Sequence, residues 1–490
     1  MKLSALAQAA GIALPGGTEA QVTGFAIDNR KVAPGTVFGA FQGAAANGED
    51  FIPAAITAGA VAVVARPEAR VDGAVHIAND NPRRAFAHLA AGFFQPVPET
   101  LVAVTGTNGK TSTVEMTRQI WRMLGERAAS IGTLGVTTSD ESVSTGLTTP
   151  DIVTFLANMH GLAREGVTHV AYEASSHGLS QYRNEGLRVK AGAFTNLSRD
   201  HLDYHTDMED YFAAKMRLFG EVVGREGTAV IWADDEWSPR AVEQARTGGL
   251  RLFTVGTGGE AIRLLARTPT QLGQVLELEW QGASRQLTLP LIGAYQAANA
   301  LVAAGLVIAT GSDADRTFDA LTRLQPVRGR LERAAITQTG APIYVDYAHT
   351  SDALEAAIAA LRPHCAARLL VVFGAGGDRD QGKRPEMGKV AASQADLGIV
   401  TDDNPRGEDP AAIRAMVMAG GGGALREVGD RRSAIAAAIA EAGPQDIVLI
   451  AGKGHEQGQI IGGGADMRVL PFDDVTVARE CAGRSGSVTR

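Results

Sequence analysis

The sequence predicts an α/β protein of three domains, and three observations carry that prediction. Short apolar runs rich in Val, Ile and Leu recur between alanine-rich stretches of helical spacing, as in sheets whose strands alternate with helices. Two proline-bearing segments, Gln95-Pro96-Val97-Pro98 and Gln325-Pro326-Val327-Arg328, interrupt the alternation and divide the chain into 1–97, 98–327 and 328–490. At 490 residues the chain is also too long for one core, since a domain takes about 150 residues.

The elements follow in order. The opening MKLSALAQAAGIALPGG is weakly apolar, but Gln8 and Gly11 interrupt it, and Leu3, Leu6 and Ala10 suit one face of a short helix better than a signal peptide. Strands are expected at 37–41 and 60–64, making a small α/β unit. After the first proline pair, strands at 101–105, 168–173, 191–195 and 228–232 alternate with helices, which suits a mostly parallel sheet. The last segment repeats the pattern at 342–346, 368–373, 397–401 and 446–451, and each strand runs into a loop rich in Gly, Asp, Asn or His. Open α/β sheets bind ligands at the carboxyl ends of their strands, so chemistry is expected in those loops. Gly420 to Gly423 reads as a turn.

Bulk properties exclude several classes. A net charge of −8 offers no electrostatic attraction to nucleic acid or an anionic membrane. No apolar run approaches the ~20 residues that span a bilayer, so no membrane insertion is expected. Cys365 and Cys481 are far apart and lack zinc-ligand spacing, which fits a reducing, cytoplasmic setting.

The strongest motif is Val102-Ala-Val-Thr-Gly106-Thr107-Asn108-Gly109-Lys110-Thr111-Ser112, an apolar strand that stops in a glycine turn before a helix. Backbone N–H groups of such a turn can cradle phosphates, Lys110 can bridge the outer phosphates, and Thr111 can ligate magnesium. Val104 stands where the longer form of this loop has its first glycine. A nucleoside triphosphate is therefore the expected ligand. Glu173 ends the strand Thr168-His169-Val170-Ala171-Tyr172 and can serve the same magnesium. The next strand delivers Phe194-Thr195-Asn196-Leu197-Ser198-Arg199-Asp200-His201-Leu202-Asp203-Tyr204-His205, a loop dense in ligand types that suggests a second metal or phosphate contact. Lys215, taken alone, reads as a solvated helix lysine.

Together, VTGTNGKTS, YEASSHGLSQYR and FTNLSRDHLDYH resemble, in this order, the central ATPase domain of the Mur ligases of peptidoglycan synthesis. Arg328-Gly329-Arg330-Leu331-Glu332, Val345-Asp346-Tyr347-Ala348-His349, Gly376-Gly377-Asp378-Arg379-Asp380 and Ala451-Gly452-Lys453-Gly454-His455-Glu456 resemble the third domain of that family. Asp403-Asn404-Pro405-Arg406 resembles the signature of the member that adds meso-2,6-diaminopimelate to UDP-N-acetylmuramoyl-L-alanyl-D-glutamate. The resemblance implies an N-terminal uridine-binding α/β domain, a P-loop ATPase-like centre and a C-terminal Rossmann-like domain.

It also implies roles. Gly106 to Ser112, Asn299, Arg330 and Asp346 are expected at ATP, with Lys110, Glu173, His201 and Lys215 as the catalytic set. Mg2+ is expected on Thr111 and Glu173, and a second ion on Glu173, His201 and a carbamylated Lys215. A lysine whose pKa burial depresses is a neutral amine able to add CO2, giving an anionic oxygen ligand. Ile27, Asn29, Thr148, Thr149, Ser175, Gln181 and Arg183 are expected at the muramoyl-dipeptide, and Asn29 departs from the serine usual in the family. Arg379, Asp403, Asn404, Pro405, Arg406, Gly452 and Glu456 are expected at diaminopimelate. A monomeric ATP-dependent ligase acting through an acyl phosphate follows. A lysine-adding or folylpolyglutamate synthetase-like ligase is the alternative within the class, and a nucleotide-gated binding protein the alternative outside it.

Overall fold

The protein is described as a computed structural model over residues 1–15, 19–43, 46–138, 142–143, 148–202, 204–270, 272–378 and 380–484. It forms two compact units: Met1–Leu264 with Glu279–Ala283 and Ala298–Ala320, and Leu265–Leu278 with Ser284–Ala297 and Leu321–Arg490.

The first unit opens with four parallel strands in the order β1 (Gly24–Ala26), β2 (Thr36–Gly39), β3 (Ala60–Ala65) and β4 (Val75–Ala78). The runs expected at 37–41 and 60–64 are β2 and β3. Helix Leu3–Ala10 buries Leu3 and Leu6 against helix Pro82–Phe93, as its spacing predicts. That second helix begins on Asn81, whose side chain accepts the Arg84 N–H, while Pro82 occupies the first turn, where a missing N–H costs nothing.

The larger sheet of this unit is built around β5 (Thr100–Thr105). Its further strands are β6 (Ala128–Gly132), β7 (Gly135–Thr137), β8 (Ser142–Val143), β9 (His169–Glu173), β10 (Val189–Phe194), β11 (Val223–Trp232) and β12 (Arg251–Gly256). Their order is β12-β11-β10-β5-β9-β6-β7-β8, parallel from β12 to β6 and antiparallel at β7 and β8. Every residue of β5 is buried, which explains its unbroken apolar run: a strand covered on both faces has no solvent side to alternate with. One apolar core holds this sheet and the N-terminal strands together, joining Phe25 and Phe86 to Leu101, Tyr172 and Phe194. Buried Glu185 adds an ionic tie, 2.9 Å from Arg84 Nε and 2.7 Å from Arg217 Nη2. Strand β13 (Ile262–Thr270) starts beside β12, pairing Ile262 with Val255.

In the second unit, β14 (Gly273–Trp280) lies between β13 and β15 (Ala283–Leu289). A six-stranded sheet follows, with β16 (Glu332–Ile336), β17 (Pro342–Asp346), β18 (Leu369–Phe373), β19 (Leu397–Val400), β20 (Leu425–Glu427) and β21 (Ile447–Ala451) in the order β16-β17-β21-β18-β19-β20. Only the edge strand β16 is antiparallel. Helices Ser351–Leu361, Lys383–Gln394 and Pro410–Gly420 cover one face through Leu354, Met387 and Ile413. Helices Arg431–Glu441 and Asp474–Arg484 cover the other through Ile435 and Ala478. This is the doubly wound arrangement expected for the last segment, completed by a hairpin of β22 (Gly458–Ile461) and β23 (Arg468–Pro471).

Candidate functional site

Both units gather their candidate residues where parallel strands end. In the first, β5 runs into Gly106 at φ 147° and Gly109 at φ 86°, and helix Lys110–Met123 begins at once. Both glycines are required: an added Cβ would lie 1.9 Å from Thr195 Oγ1 at position 106 and 2.3 Å from Asn299 Oδ1 at position 109. The neighbouring strand end, after β10, shapes the loop. Thr107 N–H donates to the Asn196 carbonyl at 2.9 Å, Asn108 N–H donates to Asn196 Oδ1 at 2.9 Å, and Thr195 Oγ1 donates to the Asn108 carbonyl at 2.6 Å. Lys110 Nζ donates to the carbonyls of Gly106 at 2.9 Å and Thr107 at 2.8 Å, so its charge is held over the loop. Ser112 is buried in the first turn of the helix.

Glu173 is buried at the end of β9, where Thr111 Oγ1 donates to its Oε1 at 2.9 Å. The Thr133 N–H donates to the same oxygen at 2.7 Å, and Gly132 leaves room for it, since a Cβ there would meet Oε1 at 2.2 Å. Thr111 and Glu173 thus present a hydroxyl and a carboxylate side by side, a hard-oxygen pair that suits Mg2+. Thr133, which completes this arrangement, was not anticipated; its only sequence signal is its place just after a strand.

Lys215, on helix Met208–Arg217, is buried rather than solvated. Its Nζ donates to the Gly106 carbonyl at 2.7 Å and lies 4.3 Å from the centre of the Tyr211 ring. Burial, and then the charge of Lys110, push its pKa well below the ordinary lysine value. His201, at φ 54°, packs edge-on to Tyr211 at 6.0 Å and to His177 at 5.0 Å. Among the described residues no three His, Cys, Asp or Glu side chains gather as a metal site.

The residues expected at the muramoyl-dipeptide form one connected group. Thr149 Oγ1 donates to the Glu173 carbonyl at 3.0 Å and is hydrogen bonded to Ser175 Oγ at 3.0 Å, and Thr148 Oγ1 is 3.1 Å from Thr133 Oγ1. Arg183 Nη1 donates to the Thr149 carbonyl at 2.8 Å, while its Nη2 reaches Gln181 Oε1 at 2.6 Å. Gln181 Nε2 donates in turn to the hydroxyl of Tyr204 at 3.1 Å, a residue the sequence did not single out. The N-terminal pair stands in the four-stranded part: Ile27 is exposed, and Asn29 starts a single 3-10 turn capped by Asp28. Arg30, hydrogen bonded to Asp28, holds that carboxyl down at about 2. Asn299 belongs to helix Ala294–Ala309 and is buried against Gly109.

In the second unit, Asp346 ends β17 and accepts N–H groups from Leu331 at 2.7 Å and Ala348 at 2.9 Å; burial raises its pKa. Arg330 lies 4.7 Å over the Tyr347 ring. The loop after β19 carries Asp403, Asn404, Pro405 and Arg406, with Asn404 at φ 44° and Arg406 at φ 52°. The loop after β18 locks onto it: Gly377 N–H donates to the Asn404 carbonyl at 3.1 Å, and Arg406 Nη1 donates to the Gly377 carbonyl at 2.9 Å. Gly452, after β21, admits Asp403, because a Cβ there would lie 2.3 Å from Asp403 Oδ2. Glu456 Oε2 accepts from Asn404 Nδ2 at 2.7 Å. Arg379 lies outside the described residues. No helix among the described residues is long and apolar enough to cross a membrane.

A glycine-turned phosphate loop on a parallel sheet, with a hydroxyl–carboxylate pair at its side, defines a P-loop nucleotide-binding protein. Three family models match the chain: Mur ligase family, catalytic domain, over residues 21–101; Mur ligase middle domain over 104–307; and Mur ligase, glutamate ligase domain, over 329–454. A UDP-N-acetylmuramoyl-L-alanyl-D-glutamate--2,6-diaminopimelate ligase of Zymomonas mobilis subsp. mobilis is 60% identical over 479 residues, 98% of either chain. Its counterpart from Bradyrhizobium diazoefficiens is 53% identical over 93% of either chain. A solved structure of a ligase of that same name superimposes with a TM-score of 0.75 at 32% identity over 100% of both chains. A folylpolyglutamate synthase of Mycobacterium tuberculosis complexed with ADP has the same fold, with a TM-score of 0.61 at 21% identity over 76% of this chain and 91% of its own. This chain belongs to the Mur ligase family.

Proposed function

We propose that this protein adds meso-2,6-diaminopimelate to the D-glutamyl γ-carboxylate of UDP-N-acetylmuramoyl-L-alanyl-D-glutamate, using ATP, as a cytoplasmic monomer with domains at 1–97, 98–327 and 328–490. The carrying observation is the near-full-length 60% identity to a ligase of that name. Asp403-Asn404-Pro405-Arg406 at the end of β19 supports it.

A carboxylate is a poor acyl donor, because its charge repels nucleophiles and oxide does not leave. Attack of the γ-carboxylate on the γ-phosphorus of ATP gives an acyl phosphate and ADP; attack of the diaminopimelate amine on the acyl carbon then expels phosphate. The loop Gly106–Ser112 binds the phosphates through its N–H groups, and Lys110 turns from the loop carbonyls to the anion. Asn299, held against Gly109, borders the same loop, and the family resemblance assigns Arg330 and Asp346 to the nucleotide as well. Thr148, Thr149, Ser175, Gln181 and Arg183 orient the acyl donor, whose uridine end meets Ile27 and Asn29. Thr111 and Glu173 would hold one Mg2+, and Glu173, His201 and a carbamylated Lys215 a second. Bound there, the ions offset the repulsion between carboxylate and triphosphate. Arg379, Asp403, Pro405, Gly452 and Glu456 complete the amino-acid site. Arg406 favours diaminopimelate over lysine, since a guanidinium suits the distal carboxylate that lysine lacks.

Phosphate release and product formation, measured with ATP, the muramoyl-dipeptide and a panel of diamino acids, test the reading. Release should require both the dipeptide and meso-diaminopimelate; equal use of lysine, or release independent of the amino acid, would overturn it.

A further inference from the structure

Lys453 is fully buried, yet nothing in the reaction described above uses it. Its Nζ donates to Asn404 Oδ1 at 2.8 Å and to the Gly458 carbonyl at 2.7 Å, with Asp403 Oδ1 at 3.4 Å and Glu456 Oε2 at 3.6 Å. Three of these partners belong to the loop and turn assigned to the amino acid, and the fourth begins the hairpin strand β22.

The arrangement fixes the Asn404 amide. An ammonium only donates, and the Ile460 N–H, 2.9 Å from Asn404 Oδ1, also only donates. Two donors converging on one end of the amide require the oxygen there. The nitrogen must then face the other way, where one of its hydrogens meets Glu456 Oε2 at 2.7 Å. A further bond, from Arg406 N–H to the Ile460 carbonyl at 3.1 Å, ties the same hairpin strand to the loop. Lys453 therefore sets which face of Asn404 and Glu456 an incoming molecule meets. A staple serving stability alone could be any packed apolar residue, and burying an ammonium without need is costly.

We infer that Lys453 is a positioning residue for the incoming amino acid: it orients the Asn404 amide and, through it, the Glu456 carboxylate, so that an amide N–H and a carboxylate face a zwitterionic substrate. The inference rests on the assignment of this loop to the amino acid.

The test is steady-state kinetics of the full chain and its Lys453→Met, Asn404→Ala and doubly substituted variants, with melting temperatures alongside. Native enzyme that does not use meso-diaminopimelate defeats the functional reading, whatever the variants do. If native enzyme uses it, Lys453→Met should raise the KM for the amino acid about tenfold or more, leaving the KM values for ATP and the muramoyl-dipeptide within about twofold. The double variant should lose little beyond Asn404→Ala, because Lys453 acts through Asn404. An unchanged amino-acid KM, an equal rise for all three substrates, or fully additive losses would overturn the inference. Should Lys453→Met not fold, Asn404→Asp substitutes for it: this variant retains an oxygen for Lys453 but removes the N–H facing Glu456. Its amino-acid KM should rise selectively; no rise would overturn the inference.

Discussion

Lys110 and Lys215 donate to the same oxygen, the Gly106 carbonyl, at 2.9 and 2.7 Å. One lysine comes from the helix after the phosphate loop and the other from a helix more than a hundred residues on, so a single backbone group reports on both. Because like charges so close repel, the buried member bears the cost: Lys215 is the one driven towards the neutral amine, by burial first and by Lys110 second.

Lys110→Ala should lower kcat/KM for ATP by about 10²–10³-fold or more, the loss typical when one preorganised donor to a transition-state anion is removed. Affinity for the muramoyl-dipeptide, measured by calorimetry, should stay near native, since its proposed contacts lie elsewhere. Unchanged turnover would show that this loop does not hold the nucleotide.

Lys215→Ala should cost at least ~100-fold in kcat, because the variant cannot carry an anionic ligand at that position. Formate or acetate, titrated into the assay, should restore part of the rate by supplying the missing carboxylate. Near-native turnover without any added acid would defeat the carbamate proposal.

Arg406→Ala should weaken diaminopimelate recognition by about 2–5 kcal/mol, as truncating one partner of a desolvated charge pair does. Lysine should gain little in return, so selectivity falls through loss of the better substrate. The check is kcat/KM for both amino acids, and an unaltered value for diaminopimelate would remove Arg406 from the site.

His455 gives a pH prediction. Burial, followed by the charges of Arg330 and Arg328, brings it down to about 4 from an ordinary 6.5. Between these values the unfolded chain is protonated and the folded chain is not, so the unfolded state binds more protons and stability falls with acidification. The contribution is complete above about 6.5, declines towards about 4 and is constant below. His455→Gln should flatten this part of the profile, read as urea midpoints at several pH values; an unchanged slope would mean that His455 does not titrate in this way.

Much of the fold was legible because buried parallel strands cannot alternate. The runs at 342–346 and 446–451 stand out for the reason that β17 and β21 are covered on both sides, and the structure places them within a residue of expectation. The hairpin β22–β23 was not legible, since its residues are half-exposed or exposed and carry no apolar period. The site divided in the same way. Gly106, Gly109 and Lys110 announce themselves by close spacing, whereas Asn299 meets Gly109 from 190 residues away and was reached only through family resemblance. Thr133 and Lys453 were passed over because their significance lies in hydrogen bonds to Glu173 and to Asn404, and no local pattern encodes a partner so far along the chain.

The tie between Arg84, Glu185 and Arg217 has a consequence for how the protein comes apart. One side of the N-terminal sheet has a small interior of its own, around Phe38, Ile52 and Val63, whereas the core on the other side, with Leu6 and Phe86, runs on without a break into that of the phosphate-loop sheet. Cutting near residue 97 would divide this shared core and strip Glu185 of one of its two arginines. The first 97 residues and the sheet that follows should therefore melt as one cooperative block, although separate family models match them.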